Sequence, residues 1–220
     1  MATRSTAAAP LSRARILECA LDVADRDGLE AASLRRIATE LGVHVTSLYN
    51  HLPTKDALLD GMVEELIVEA HVPVGDVGWE EWVRAFVGGM ARIAVERPGS
   101  FAVLLHRPVQ SPRATETFEC ALAAFRAEGL DAVQAYSAVK SVVFAVLGCC
   151  QELAGPARGE RVETDVTGLD WQRFPQMHEV SRVAGDVDLA AMLTEVLVAG
   201  LAQQLPSRAK PRRTGSGGRR

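Results

Sequence analysis

Apolar residues recur at helical spacing along most of the chain, and polar caps and glycines mark the ends of these stripes. The apolar positions of the first stripe are Ile16, Leu17, Ala20, Leu21 and Ala24. It stops at Asp27-Gly28, where glycine can adopt the left-handed conformation that often ends a helix. The pattern therefore predicts a first helix over residues 12–27.

Two shorter stripes follow, separated by a glycine. Ser33 is a good N-cap for a helix that carries apolar residues at i, i+3, i+4 and i+7, namely Leu34, Ile37, Ala38 and Leu41. Gly42-Val43 then makes a tight break before a third short helix over residues 44–51, with Leu48 as its inward residue. Two short helices that meet at a glycine-containing turn predict a helix-turn-helix over residues 33–51.

The rest of the chain is also predicted to be helical. Thr54 caps a fourth helix that runs to about Ala70, and the segment 71–78, with Pro73 and two glycines, is predicted to be a connection. Helices are expected over 79–96, 98–105, 112–128, 132–153 and 187–205, with a loop and a short helix between 155 and 186. No alternating polar–apolar run flanked by hairpin turns occurs, so the predicted fold class is all-α. The predicted units are residues 12–70 and 71–205, between a disordered N-terminus (1–11) and a disordered basic tail (206–220).

Composition restricts the class of protein more than it identifies it. The 220 residues carry a formal net charge of −4, so any DNA binding must be local rather than a property of the overall field. Residues 44–55 contain no acidic side chain.

The nearly apolar stretch 141–150 is shorter than the roughly 18 residues of a membrane span, and no secretory signal is evident, which favours a cytoplasmic protein without membrane contact. Cys19, Cys120, Cys149 and Cys150 form no C-x-x-C pair and are expected to be buried free thiols.

The third predicted helix and its neighbours carry side chains suited to DNA. Val45, Thr46 and Ser47 are small enough to let the helix enter the major groove, where methyl and hydroxyl groups can meet base edges. The candidate contacts to the sugar-phosphate backbone are Tyr49, Asn50, His51 and Lys55. Ser33 and Arg35, at the start of the second helix, are further candidate DNA contacts, and the Arg35 guanidinium suits either guanine or a phosphate.

The pattern alone leaves other classes of protein open. Short helix-turn-helix pieces occur in many helical proteins, and Tyr49 or His51 could be ordinary surface residues. A helical interaction or small-molecule-binding protein without operator binding is therefore the alternative. An enzyme is not predicted, because none of the common catalytic motifs is found.

The stretch from Ser33 to Leu59, SLRRIATELGVHVTSLYNHLPTKDALL, closely resembles the DNA-binding domain of the tetracycline-repressor (TetR) family, with its L-G-V, L-Y-x-H and K-x-x-L-L elements at the family spacing. A weaker resemblance continues through the pieces 79–82, 105–107, 135–139 and 147–148. It implies a homodimer whose N-terminal helices bind double-stranded operator DNA and whose C-terminal bundle dimerises and holds a small-molecule effector that releases the operator. Dimer contacts are then expected on 132–153 and 187–205. Where the tetracycline repressor has glutamine, proline and tryptophan, Val45, Thr46 and Asn50 stand here, which implies a different operator.

The resemblance also suggests candidate residues for the effector. His71 and His106 look like counterparts of two tetracycline-repressor histidines, one that contacts the drug and one that binds its magnesium, but magnesium-dependent binding is not predicted and His106 is expected to be a hydrogen-bonded histidine of the bundle. The candidate apolar contacts, although such residues more often belong to a plain core, are Phe86, Met90, Phe118, Phe144, Trp171, Phe174 and Met177. Gln151 and His178 are possible polar contacts. No metal or cofactor is predicted, and the chemical class of the effector does not follow from these residues.

Overall fold

A computed structural model describes residues 10–107, 111–155, 170–182 and 187–206, and within these ranges the chain forms ten α-helices, one 3-10 turn and no strand. The predicted all-α class is confirmed. The helices are α1 (Arg13–Asp27), α2 (Leu34–Leu41), α3 (Val45–Tyr49), α4 (Lys55–Glu69), α5 (Trp79–Glu96), α6 (Pro98–His106), α7 (Pro112–Ala127), α8 (Ala132–Leu153), α9 (Pro175–Ser181) and α10 (Leu189–Gln204). The predicted disordered termini lie outside the described residues, apart from residues 10, 11 and 206.

Helices α1 and α2 begin and end within a residue of where the sequence predicts. The Ser12 hydroxyl accepts a hydrogen bond from the backbone N–H of Arg15, and the Ser33 hydroxyl accepts one from that of Arg36. Gly42 has a φ of 66°, the left-handed conformation that lets the chain turn sharply between α2 and α3. Helix α3 is shorter than predicted, because His44 is still extended and Asn50 already lies at its end. The 3-10 turn Leu29–Ala31 was not predicted from the sequence.

Helices α1 to α4 share one hydrophobic core. Helix α1 packs against α2 and α4, and α2 packs against α3. The core side chains from these four helices include Ile16, Leu17, Ala20, Ile37, Ala38, Leu48, Leu58 and Met62, all of which are buried. Each short helix is therefore held by its buried side rather than by its own length, as expected for helices of only one or two turns.

Helices α5 to α8 and α10 form a second bundle. Helix α5 packs against α8 and α10, and α7 packs against α8. Asp131 begins α8 with a capping box, in which its carboxylate accepts from the N–H of Gln134 while the Gln134 side chain accepts from the N–H of Asp131. The largest fully buried side chains among these helices are Trp82, Phe101 and Phe125. Helix α6 also packs against α1 and α4 and so connects the bundle to the first four helices.

Helix α8 leaves an apolar face uncovered. By length and composition its 22 residues could cross a membrane, but its contacts with α5, α7 and α10 are those of a bundle helix. Only 33% of its most apolar 18-residue window is buried. Val133, Tyr136 and Phe144 on α8 are exposed, as are Met192 and Val196 on α10. The two helices that were predicted to form the dimer interface therefore each present large apolar side chains to the outside of the single chain.

The cysteines are free thiols, but only two of them are buried. Cys120 and Cys150 are buried, whereas Cys19 and Cys149 are half-buried, so the expectation of four buried thiols was wrong for the latter pair. Burial raises the pKa of Cys150 to about 12, and burial also raises the pKa of the other three thiols. A thiol whose pKa lies well above neutrality carries little thiolate and is a poor nucleophile.

Candidate nucleic-acid interface

Helix α3 is fixed to the protein by one side chain and presents the others outward. Leu48 is the buried residue of α3, and it is fully enclosed by the core of α1 to α4. Thr46 and Tyr49 on the same helix are exposed, and so are Asn50 and His51 that follow it. Val45 and Ser47 are half-buried. The outward face thus combines small residues with hydrogen-bonding side chains, which is the arrangement that lets a helix approach base edges in a groove.

The exposed arginines near α3 differ in their partners. Arg36 forms ion pairs with Asp27 (Nη2–Oδ2 3.2 Å) and with Glu40 (2.9 Å), and Arg26 pairs with the same two acids. Hydrogen bonds from Arg26 lower the pKa of Asp27, so this group of charges is already satisfied within the protein. Because Arg26 and Arg36 are both paired with Asp27 and Glu40, neither arginine can bind a phosphate without breaking an ion pair.

Arg35 stands outside this group. Its side chain is exposed and has no ion-pair or hydrogen-bond partner in the part of the chain that the structure describes; only its backbone carbonyl is engaged, by the Thr39 hydroxyl. An unpaired guanidinium can bind guanine or phosphate without first breaking an internal contact. Of two adjacent arginines in the sequence, the structure therefore leaves Arg35 available for DNA.

The start of α4 lies close to α3 along the chain and carries mixed charge. Thr54 caps the helix, its hydroxyl accepting from the N–H of Ala57 at 3.0 Å. The Lys55 ammonium is exposed and lies 3.9 Å from Glu30, at the limit of an ion pair. The neighbouring carboxylate of Asp56 is paired with Arg107, which follows α6. The positive end of the helix and Lys55 both favour a nearby phosphate, whereas an unpaired Asp56 would oppose one.

Five of the residues predicted for the effector lie on α5, α7 and α8, which pack against one another. Met90 is buried, and Phe86 is half-buried and stacked on Trp82 with ring centroids 4.9 Å apart. Phe118 meets the edge of Tyr136, and Phe144 is exposed beneath the Lys140 ammonium. Gln151 is exposed near the end of α8. These positions are spread over α5, α7 and α8, and their role toward an effector stays a prediction.

The predicted residues around α9 and the two histidines lie at the surface. Trp171 stacks on His178 at 4.9 Å, while Phe174 and Met177 are exposed on this short helix, none of whose residues is buried. His71 is exposed at the end of α4, with a positive φ of 57°, and borders a surface hollow of about 340 Å³ between α1 and α4. His106 is exposed at the end of α6, so the expectation that it is a hydrogen-bonded histidine inside the bundle was wrong. Among the described residues no group of three or more histidine, cysteine or acidic side chains could hold a metal ion.

Two residues that were not among the predicted site residues have unusual surroundings. Trp82 is 1% exposed, and its indole N–H has no acceptor among the described residues. A buried donor without a partner is uncommon and points to a water or ligand that completes it. Arg107 contacts two carboxylates of α4 from the end of α6. An apolar stripe that contains a tryptophan predicts only core, and no sequence pattern relates Arg107 to residues about fifty positions away.

The chain is similar to known bacterial regulatory proteins. The family model of bacterial regulatory proteins, tetR family, matches residues 16–62, which include α2, α3 and the first half of α4. The HTH-type transcriptional repressor DrrR1 of Streptomyces coeruleorubidus is 30% identical over 184 residues, covering 82% of this chain and 68% of that protein. An HTH-type transcriptional regulator of Saccharopolyspora erythraea is 32% identical over 139 residues, but the match spans 63% of this chain and only 59% of that protein.

The similarity extends to three-dimensional structure. The crystal structure of the TetR family protein ActR from Streptomyces coelicolor, in complex with actinorhodin, superposes with a TM-score of 0.73. That match covers 91% of this chain and all of the other, at 25% identity. The likeness therefore includes the helical bundle as well as the first four helices.

Proposed function

The chain belongs to the tetR family of bacterial regulatory proteins, and we propose that it is a transcriptional repressor that binds operator DNA as a homodimer and leaves it when a small molecule binds the bundle. The observation that carries the proposal is the outward face of α3, which is anchored by Leu48 and flanked by Arg35, whose side chain has no partner among the described residues. Since operator DNA is its target, we propose that it acts in the cytoplasm.

On DNA, α3 would lie in the major groove with its first residues toward the bases. Thr46 is exposed near the entering end and suits base-edge contacts, whereas Tyr49 and Lys55 are placed to touch the phosphate backbone. Val45, Ser47, Asn50, His51 and the capping Ser33 complete the proposed interface. A dimer would present two such helices to successive turns of the duplex, so we expect a palindromic operator.

Operator binding is tested with a footprint on the DNA next to the coding region, followed by titrations of the protected duplex. We expect affinity to fall by about a thousandfold or more between roughly 50 and 200 mM salt if about six phosphates are contacted.

Tyr49→Ala and Lys55→Ala should weaken specific and non-specific binding alike, whereas Thr46→Ala should change the preference among operator sequences. Indifference to all three substitutions would contradict the proposal and favour a helical interaction protein.

The exposed apolar faces of α8 and α10 support the proposed dimer. Phe144 is 63% exposed and Val196 is also 63% exposed in the single chain, which is costly for a soluble protein unless a partner covers them. A second copy would bring the same faces together about a twofold axis and bury them. The dimer would in turn fix the distance between the two α3 helices.

We propose that the effector is a flat aromatic molecule that carries hydrogen-bond acceptors. ActR, which shares the fold, is known in complex with actinorhodin. In this chain the stacked pair of Trp82 and Phe86 on α5 offers an aromatic surface, and the indole N–H of Trp82, which has no acceptor in the described part of the chain, offers a donor. The effector would release the operator by binding better to the form whose α3 helices are wrongly spaced.

Actinorhodin is the first probe for this effector site. We expect it to release the labelled operator from the repressor and to quench tryptophan fluorescence. Trp82→Phe keeps the ring stack but removes the donor, so the actinorhodin affinity should fall by about two- to tenfold, as for one lost hydrogen bond. Trp79→Phe, which makes the same change on the same helix at a tryptophan that pairs with Phe125 rather than with Phe86, serves as the matched control. Equal affinity of wild type and Trp82→Phe would remove Trp82 from the effector site.

A further inference from the structure

Helix α6 is held to α4 by an arginine at each of its ends. Arg97, the residue before α6, donates to Glu69 at the end of α4 (Nε–Oε2 2.9 Å). Arg107, the residue after α6, pairs with Asp56 and Asp60 near the start of α4. The two helices therefore run antiparallel, and each end of α4 is tied to the opposite end of α6.

The contacts of Arg107 are short and directional. Its Nη1 lies 2.7 Å from Asp56 Oδ1, and its Nη2 lies 2.7 Å from Asp60 Oδ1, with Nε 3.2 Å from the same oxygen. Its side chain is 23% exposed, which is far less than the 75% of Asp56. These hydrogen bonds raise the pKa of Arg107, the bond to Asp60 most of all. The guanidinium is thus held over both carboxylates by the position of α6.

These two carboxylates lie at the end of α4 that faces DNA in the proposed function. Asp56 directly follows Lys55, and Lys55 is itself only loosely paired with Glu30. Without Arg107, two negative charges would stand beside the site proposed for a phosphate, and like charges at such distances repel with little screening at low salt. Whether the charge near the start of α4 favours or opposes a phosphate therefore depends on the position of Arg107, which α6 sets.

We propose that Arg107 is a positioning residue for operator binding, which neutralises Asp56 and Asp60 only while the end of α6 keeps its place against α4. A displacement of that end uncovers the two acids and weakens the hold on DNA by charge, in addition to any change in the spacing of the α3 helices. The inference rests on the proposed operator binding.

The test measures operator affinity of the full-length protein by fluorescence anisotropy at low and high salt. Arg107→Gln should weaken binding by about fivefold to tenfold at low salt and by less at high salt, because screening shortens the reach of the uncovered charges. Adding Asp56→Asn and Asp60→Asn to Arg107→Gln should restore most of the affinity. Arg84→Gln, which breaks an exposed 2.7 Å ion pair with Glu195 in the bundle, is the control and should leave affinity unchanged.

The outcomes separate this inference from the proposed function. If the wild-type protein binds no operator, the proposed function fails. If the wild type binds and Arg107→Gln binds equally well, only the present inference is overturned. It is also overturned if the triple variant binds as weakly as Arg107→Gln while both unfold at the wild-type temperature, because Arg107 would then act through something other than these acids.

Discussion

Replacement of Arg35 by alanine should weaken operator binding by about tenfold or more, whereas the same substitution at the adjacent Arg36 should leave it nearly unchanged. The Arg35 side chain is exposed and has no partner in the described part of the chain, so it is available to a base or a phosphate. A bidentate contact between arginine and guanine contributes about 1–3 kcal/mol of discrimination. Arg36 is engaged by Asp27 and Glu40 and cannot reach DNA without giving them up.

The two arginine variants can be compared in one pair of titrations. Operator duplexes with single base changes would show whether Arg35→Ala loses preference at one position, as expected for a base contact, or loses affinity uniformly, as expected for a phosphate contact. Arg36→Ala should instead cost up to about 1 kcal/mol of stability, as for an exposed ion pair. If Arg36→Ala lost more affinity than Arg35→Ala, the assignment of the free arginine would be wrong.

Adjacent glycines in α5 should respond to alanine in opposite directions. A methyl group on Gly89 would lie 2.3 Å from the backbone oxygen of Ala70, at the end of α4, and backbone atoms cannot move aside as a side-chain tip can. A methyl group on Gly88 would meet nothing within 4 Å. We expect Gly89→Ala to lower the free energy of unfolding by about 1–3 kcal/mol through overpacking. Gly88→Ala should raise it by about 0.5–1 kcal/mol, because alanine loses less backbone entropy in a helix.

Thermal unfolding of the two glycine variants is the measurement. For a chain of this length about 1 kcal/mol corresponds to a shift of roughly 2–4 °C in Tm. The variants differ by one position on the same helix and introduce the same methyl group, so helix propensity cancels between them. A higher Tm for Gly89→Ala than for Gly88→Ala would mean that α4 and α5 do not approach as closely as the structure indicates.

Local sequence signals were sufficient for the helices and for the outward face of α3. Caps such as Ser33 and Thr54, together with the glycine after α2, act over three or four residues, and each lies where the sequence predicts it. The single inward residue of α3, Leu48, was likewise evident from spacing, and it is fully buried. A one-turn helix was harder to bound, because its ends depend on packing more than on propensity.

The burial of the candidate effector residues could not be predicted from the sequence pattern. An aromatic residue in an apolar stripe fits a core and a pocket equally well, and the structure buries Met90, half-buries Phe86 and exposes Phe144. His106 follows an apolar run yet is exposed, because it lies in the last turn of α6 rather than inside the bundle. Only the positions of its neighbours in the structure show that the indole N–H of Trp82 has no acceptor among the described residues.

By itself the sequence determined the all-α class, the helix-turn-helix and the kinds of side chain that are proposed to contact DNA, because these follow from periodicity, caps and residue type within short stretches. Tertiary structure decided which charges are available: it pairs Arg36 with Asp27 and Glu40, gives Arg35 no side-chain partner among the described residues, and places Arg107 over Asp56 and Asp60. The physical reason is that an ion pair depends on distances between atoms far apart in the chain. Helical spacing along one segment carries no information about those distances.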